Sequence, residues 1–166
     1  MTVLSDELEG DAVDVLALEN QVCFALAVAA RGVIGVYRPI LEPLGLTHPQ
    51  YLVMLALWEE SPRSLGELAD ELAMEPATLS PLVKRLEAQG RVSRGRSPGD
   101  ERVLEIRLTD EGRALRRRAL EVPTQIMHRT GMDAEQLAAL RDGLIPFAGG
   151  RARRDPVGAA SVLPPA

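Results

Sequence analysis

The chain is poor in the residues that carry most enzyme chemistry. It has one cysteine, Cys23, two histidines, His48 and His128, and only one Trp, two Tyr and two Phe among 166 residues. A single thiol excludes an internal disulfide, and no Cys/His set stands at metal-ligand spacing, so neither a zinc site nor any other cofactor is expected. No glycine-rich loop follows a strand to cradle a phosphate. An enzyme such as a thiol peroxidase therefore finds little support. The N-terminal stretch MTVLSDELEGDAVDV is acidic and lacks the basic-then-apolar layout of a secretory signal. No uninterrupted apolar run reaches the roughly 20 residues of a membrane span, and a cytoplasmic protein is the expectation.

What is present is an ordinary globular composition, 46% hydrophobic and 26% charged, at a length that suits one domain. The net charge of −5 hides an uneven distribution. From Lys84 to Arg118 there are eleven Lys and Arg against six Asp and Glu, a net of +5, while the rest of the chain carries a net of −10. Such a segment is either a solvated surface or the footprint of a polyanion.

Apolar residues recur at spacings of three and four from Leu16 to Leu44 (Val22, Cys23, Leu26, Ala30, Val33, Ile34, Tyr37, Leu41), which predicts a long helix. Thr47 is placed to cap a second helix in HPQYLVMLALWEE. Ser64 and Glu67 have the spacing of a capping box before a third. Pro76 suits the first turn of a fourth, which Gly90 ends. Pro81 predicts either a kink in that helix or a start delayed to Ser80. Leu104, Ile106 and Leu108 then alternate with charged residues, and SPGD supplies a turn, so the stretch reads as a hairpin. Thr109 caps a helix that runs towards Glu121 and resumes after Pro123, and a last helix spans about Asp133 to Phe147.

The predicted fold is mainly α with a small β-hairpin wing, a winged helix-turn-helix. We divide the chain into a flexible lead (1–14), N-terminal sensor and dimerisation helices (15–60), a DNA-binding lobe (61–109), C-terminal dimerisation helices (110–149) and a disordered tail (150–166). In this architecture the second helix of the pair enters the major groove. Thr78 and Ser80 near its start can reach bases or phosphates, and Lys84 and Arg85 can neutralise phosphates. Arg94, Arg96 and Arg102 in the hairpin suit the electronegative minor groove, with Asp100 holding a wing arginine by paired charge. A winged helix used only for protein contact is the alternative, and the placement of the basic segment argues against it.

The stretch SLGELADELAMEPATLSPLVKRLEAQGRVSRGRSPGDERVLEIRLTDEG resembles the DNA-binding lobe of the MarR family of bacterial repressors, with the wing motif's Asp at Asp100 and its Arg at Arg102. LENQVCF followed by YRPILEPLGLTHPQYLVMLALWE narrows the resemblance to the family's organic-hydroperoxide-resistance type. It covers about Leu18 to Pro123. It implies a homodimer on double-stranded operator DNA of approximate two-fold symmetry, released when an organic hydroperoxide oxidises the thiol; with no second cysteine to resolve the sulfenic acid, a mixed disulfide with a low-molecular-weight thiol, or slow overoxidation, is expected. It also implies that two tyrosines of the opposite subunit hydrogen-bond the cysteine. Tyr37 matches the first. His48 stands where the second is usual, and Pro76 and Ala77 replace small polar residues common at the start of the reading helix.

Two readings of Cys23 stand side by side. On an apolar stripe a free cysteine packs as a small hydrophobe. As a thiolate favoured by nearby donors it is a peroxide-reactive nucleophile. Cys23 and Tyr37 lie fourteen residues apart, roughly 21 Å along one helix and nearly on one face, so they cannot touch within one straight helix; two such helices packed antiparallel across a two-fold axis, the arrangement the resemblance implies, would bring Tyr37 of one subunit towards Cys23 of the other. His48, if protonated, would favour the thiolate more than a tyrosine, and its charge would change near neutral pH. Phe24, Leu26, Val33, Tyr51 and Trp58 would favour an organic hydroperoxide over hydrogen peroxide. The alternative is a MarR-type regulator released by a small phenolic or lipophilic ligand, with Cys23 inert.

Overall fold

A 20-residue helix, α1 (Val22–Leu41), opens the described part of the chain, flanked by 3₁₀ turns at Leu18–Asn20 and Glu42–Leu44. The computed structural model describes residues 14–148. The lead and the tail, expected to be flexible and disordered, lie outside that range apart from Asp14. α2 (His48–Glu59) follows, and Thr47 caps it in a reciprocal box with Gln50. A short strand β1 (Arg63–Ser64) leads into α3 (Leu65–Glu71), where Ser64 and Glu67 form the expected capping box. α4 (Pro76–Ala88) carries Pro at its first position. It runs through Pro81 as one continuous helix, so the delayed start at Ser80 is not what forms. Pro81 costs one backbone bond there, and burial of Leu79, Val83 and Leu86 on one face holds the turns together.

Gly90, at φ +72°, ends α4 in the left-handed conformation that favours glycine. β2 (Val92–Ser97) and β3 (Asp100–Leu108) form the hairpin, joined by Pro98 and Gly99. The hairpin is not alone: β1 pairs antiparallel with β3, Arg63 opposite Ile106, in a three-stranded sheet of order β1-β3-β2. Thr109 caps α5 (Asp110–Ala119), which has acidic residues in its first turn and Arg116, Arg117 and Arg118 in its last, as the helix dipole favours. α6 (Val122–Thr130) and α7 (Ala134–Leu144) complete the described chain, with a terminal 3₁₀ turn at Ile145–Ala148.

The core gathers Leu41, Val53, Met54, Leu57, Leu68, Leu79, Val83, Leu86 and Ile106, all essentially inaccessible. α1 joins it only through its last turns, where Ile40 and Leu41 are buried. Of the rest of the predicted apolar stripe, Val22, Cys23, Ala30 and Ile34 are exposed and Leu26, Val33 and Tyr37 half-buried, and Phe24 and Val28 beside it are also exposed. The segment Val22–Leu44 is long and apolar enough, by length and composition, to cross a membrane. One such helix is not a sign of a membrane protein, and the expectation of no uninterrupted apolar run of that length stands. Arg31 and Arg38 break the run without lowering the average enough to matter. What leaves this face uncovered is the absence of packing from its own chain.

Candidate sensor site and nucleic-acid interface

Cys23 sits in the first turn of α1 and is exposed. It is therefore not core filler within its own chain, although the stripe it shares is apolar. The two residues expected to act on it come together elsewhere. Tyr37, near the end of α1, meets His48, at the start of α2, edge to face with ring centroids 5.1 Å apart. Tyr37 also lies 6.2 Å from the ring of Tyr51, which is 6.4 Å from that of Trp58. Both tyrosines, the sole tryptophan and one histidine thus form one continuous ladder. It bridges α1 and α2 because the 3₁₀ turn and the Thr47 cap fold α2 back against the end of α1.

Burial pushes the Tyr37 hydroxyl above its ordinary range, so it remains a proton donor. Burial pushes His48 down, which favours the neutral ring at neutral pH. A protonated His48 is thus not what this environment supports. The neutral imidazole still offers one N–H. His48 also borders a cavity of about 500 Å³ shared with Ile34, Arg38, Leu46, Gln50 and Arg85, so a ladder residue and an α4 residue face one space.

The ladder ends on α5. The Trp58 indole Nε1–H donates to the Gly112 carbonyl at 2.8 Å. Gly112 is tightly held, since a Cβ there would lie 2.0 Å from the Arg91 carbonyl oxygen. The Thr109 hydroxyl donates to the Gly90 and Arg91 carbonyls at 2.6 and 3.0 Å and accepts from the Gly112 N–H. This knot joins the end of α4, the sheet and the start of α5. Sequence reading missed Gly112, and the only local signal was its position after Thr109 in TDEG.

On the face expected to meet DNA, Thr78, Lys84 and Arg85 of α4 are exposed and Ser80 is half-buried. Arg96 and Arg102 of the hairpin are exposed. Arg102 sits where β3 bulges, since Arg96 is opposite Leu104 but Ser97 is opposite Asp100. Two expectations are corrected. The Asp100 carboxylate does not pair with a wing guanidinium; it accepts the Arg102 backbone N–H at 2.9 Å. A side chain two residues away closes this local ring more readily than a long guanidinium folds back onto it. Arg94 is not free either. Its Nε and Nη2 reach Glu87 Oε2 at 2.7 and 2.6 Å. Sequence reading also missed Arg63, a buried cation on β1 that is paired with Glu60 and Glu71.

Helix, turn, helix and a basic hairpin define a winged helix-turn-helix regulator. A family of transcriptional regulators, SarA/Rot, matches residues 35–118. The organic hydroperoxide resistance transcriptional regulator of Bacillus subtilis is 37% identical over 131 residues, covering 79% of this chain and 89% of that protein. The HTH-type transcriptional regulator TtmR of Methylorubrum extorquens is 44% identical over 131 residues, covering 79% and 67%. The structure of reduced AbfR bound to DNA superposes at a TM-score of 0.65 with 33% identity, covering 78% of this chain and 91% of that one. The chain belongs to the MarR-type family of winged-helix transcriptional regulators and carries a SarA/Rot-type domain. Its relatives are regulators of transcription, not enzymes.

Proposed function

We propose that this protein is a cytoplasmic, homodimeric repressor that binds operator DNA of approximate two-fold symmetry and is released when an organic hydroperoxide oxidises Cys23. The observation that carries the reading is the placement of Cys23. It is exposed at the start of an apolar helix whose later turns present Tyr37 against His48. A second copy packed antiparallel along α1 would cover Val22, Phe24 and Val28, and would bring Tyr37 of one subunit towards Cys23 of the other. The similarity to an organic hydroperoxide regulator and to a DNA-bound relative supports both halves of the reading.

The chemistry balances with what the cell supplies. The Cys23 thiolate attacks one peroxide oxygen. An S–O bond forms, the O–O bond breaks, and the leaving alkoxide takes a proton to become an alcohol. The sulfur is oxidised by two electrons to the sulfenic acid, and the peroxide is reduced. A low-molecular-weight thiol then condenses with the sulfenic acid, losing water and leaving a mixed disulfide. The donors that favour the thiolate are the Tyr37 hydroxyl and the neutral His48 ring. On DNA, Thr78, Ser80, Lys84 and Arg85 occupy the major groove, and Arg96 and Arg102 approach the minor groove. An adduct wedged between the α1 helices would alter the separation of the two reading helices, which must stay about 34–36 Å apart to meet successive major grooves.

The test is fluorescence anisotropy of operator DNA, taken from upstream of the protein's own gene, with and without cumene hydroperoxide. Wild type should release the duplex on oxidation, and Cys23→Ser should stay bound. Retention by both would sink the thiol reading and favour release by a small lipophilic ligand. One observation gives that second reading a place: a half-open cavity of about 320 Å³ lined by Tyr51, Leu55, Trp58, Ala119 and Leu120.

A further inference from the structure

Arg94 looks in sequence like one more DNA-contacting arginine, but its surroundings assign it other work. Side chains alternate along a strand, so Arg94 shares a face of β2 with Val92, which is buried. That face turns towards α4. Glu87 follows the buried Leu86 on α4 and lies one turn beyond Val83, at the flank of the helix's core stripe. Both carboxylate oxygens of Glu87 are engaged by one residue. Oε2 accepts from Nε and Nη2 of Arg94, and Oε1 accepts from the Arg94 backbone N–H at 3.2 Å. The same contacts hold the Glu87 carboxyl below its ordinary range, the side-chain bond to Arg94 being the largest cause.

A guanidinium held by both Nε and Nη2 has its orientation fixed as well as its charge matched. The added backbone bond ties the strand itself, not only its side chain, to the helix. Two residues further along the same strand face, Arg96 enters no ion pair among the described residues.

We propose that Glu87 and Arg94 form a positioning pair that fixes the wing relative to the reading helix, so that α4 and the hairpin reach adjacent grooves together, and that Arg94 is not itself a DNA contact. This rests on the DNA-binding reading above. It makes a definite statement about Glu87: a negative charge beside the interface, which ordinary electrostatics would count against DNA binding, favours it here because of what it holds.

The experiment is equilibrium binding of the full-length protein to the operator duplex across a salt series. Wild type, Glu87→Ala, Arg94→Ala, the double alanine variant, the charge swap Glu87→Arg/Arg94→Glu and Lys84→Ala are compared. A positioning pair predicts that each single alanine change weakens binding about tenfold, with the double variant no worse than either. It predicts that the swap regains most of the lost affinity. Faster amide exchange of β2 in both singles, measured without DNA, is the matching structural readout. The proposal is overturned if Glu87→Ala tightens binding while Arg94→Ala flattens the salt slope by about 0.9, the signature of one lost phosphate contact. It is equally overturned if the swap binds worse than Arg94→Ala. Lys84→Ala keeps the two readings apart. A reduced slope there confirms the interface, whereas a wild type with no salt-dependent duplex binding refutes DNA binding, and the exchange readout then decides the pair alone.

Discussion

Tyr37 and His48 meet edge to face, 5.1 Å between ring centroids, across the turn that joins α1 to α2. The contact excludes water from one side of each ring. Burial raises the Tyr37 hydroxyl and lowers the His48 imidazole, which favours the neutral form of both at neutral pH.

The lowered value at His48 has a consequence for stability. The unfolded chain binds the proton more tightly than the folded one, so stability rises with pH through this group and falls as pH drops below the ordinary histidine value near 6.5. Below the folded value the penalty is complete and grows no further. Melting temperatures of wild type and His48→Gln between pH 5 and 8 should therefore diverge on the acid side, with wild type losing more. Parallel curves would remove His48 as the cause.

Tyr37→Phe keeps the ring contacts and removes the hydroxyl. A hydrogen bond to a charged group is worth about 1.5–3 kcal/mol, so oxidation of Cys23 by cumene hydroperoxide should slow roughly ten- to hundredfold. Stopped-flow kinetics measures this, with the melting temperature as the control for folding. An unchanged rate would mean that the Tyr37 hydroxyl does not reach the thiol.

Gly112→Ala places a methyl group 2.0 Å from the Arg91 carbonyl oxygen, and backbone cannot step aside as a side chain can. Overpacking of this kind costs about 1–3 kcal/mol. Urea denaturation should show a lower midpoint at the same slope. A midpoint within error of wild type would show that α5 shifts freely.

Glu71→Gln removes one of two carboxylates from the buried Arg63 guanidinium, while Glu60 remains. Breaking a fully buried pair costs roughly 3–5 kcal/mol, and Glu71 is partly exposed, so the loss should fall below that range. The double variant Arg63→Met/Glu71→Met should recover part of it, because the stranded charge is gone. Thermal denaturation of both variants checks the order.

Features written into short stretches are legible in the sequence. Thr47, Ser64 and Thr109 cap their helices because a hydroxyl and a backbone N–H three residues on lie within one turn. The hairpin is legible because alternation has a period of two. β1 is not, since two residues carry no period and exist as strand only by pairing with β3. The stripe on α1 is legible as apolar, but periodicity does not say which chain will cover it. The roles of Arg94 and Asp100 escape the sequence for a common reason. Composition marks a residue as charged, and only distance decides whether its charge is matched inside the protein. The Trp58–Gly112 bond joins residues 54 apart in sequence, beyond any local pattern.

That bond also gives the molecule a built-in optical reporter. The sole indole donates its only N–H across the joint between α2 and α5, and indole emission depends on that bond and on the neighbouring rings. The protein's own ultraviolet fluorescence therefore reads the state of the joint without a label, in every copy and in real time.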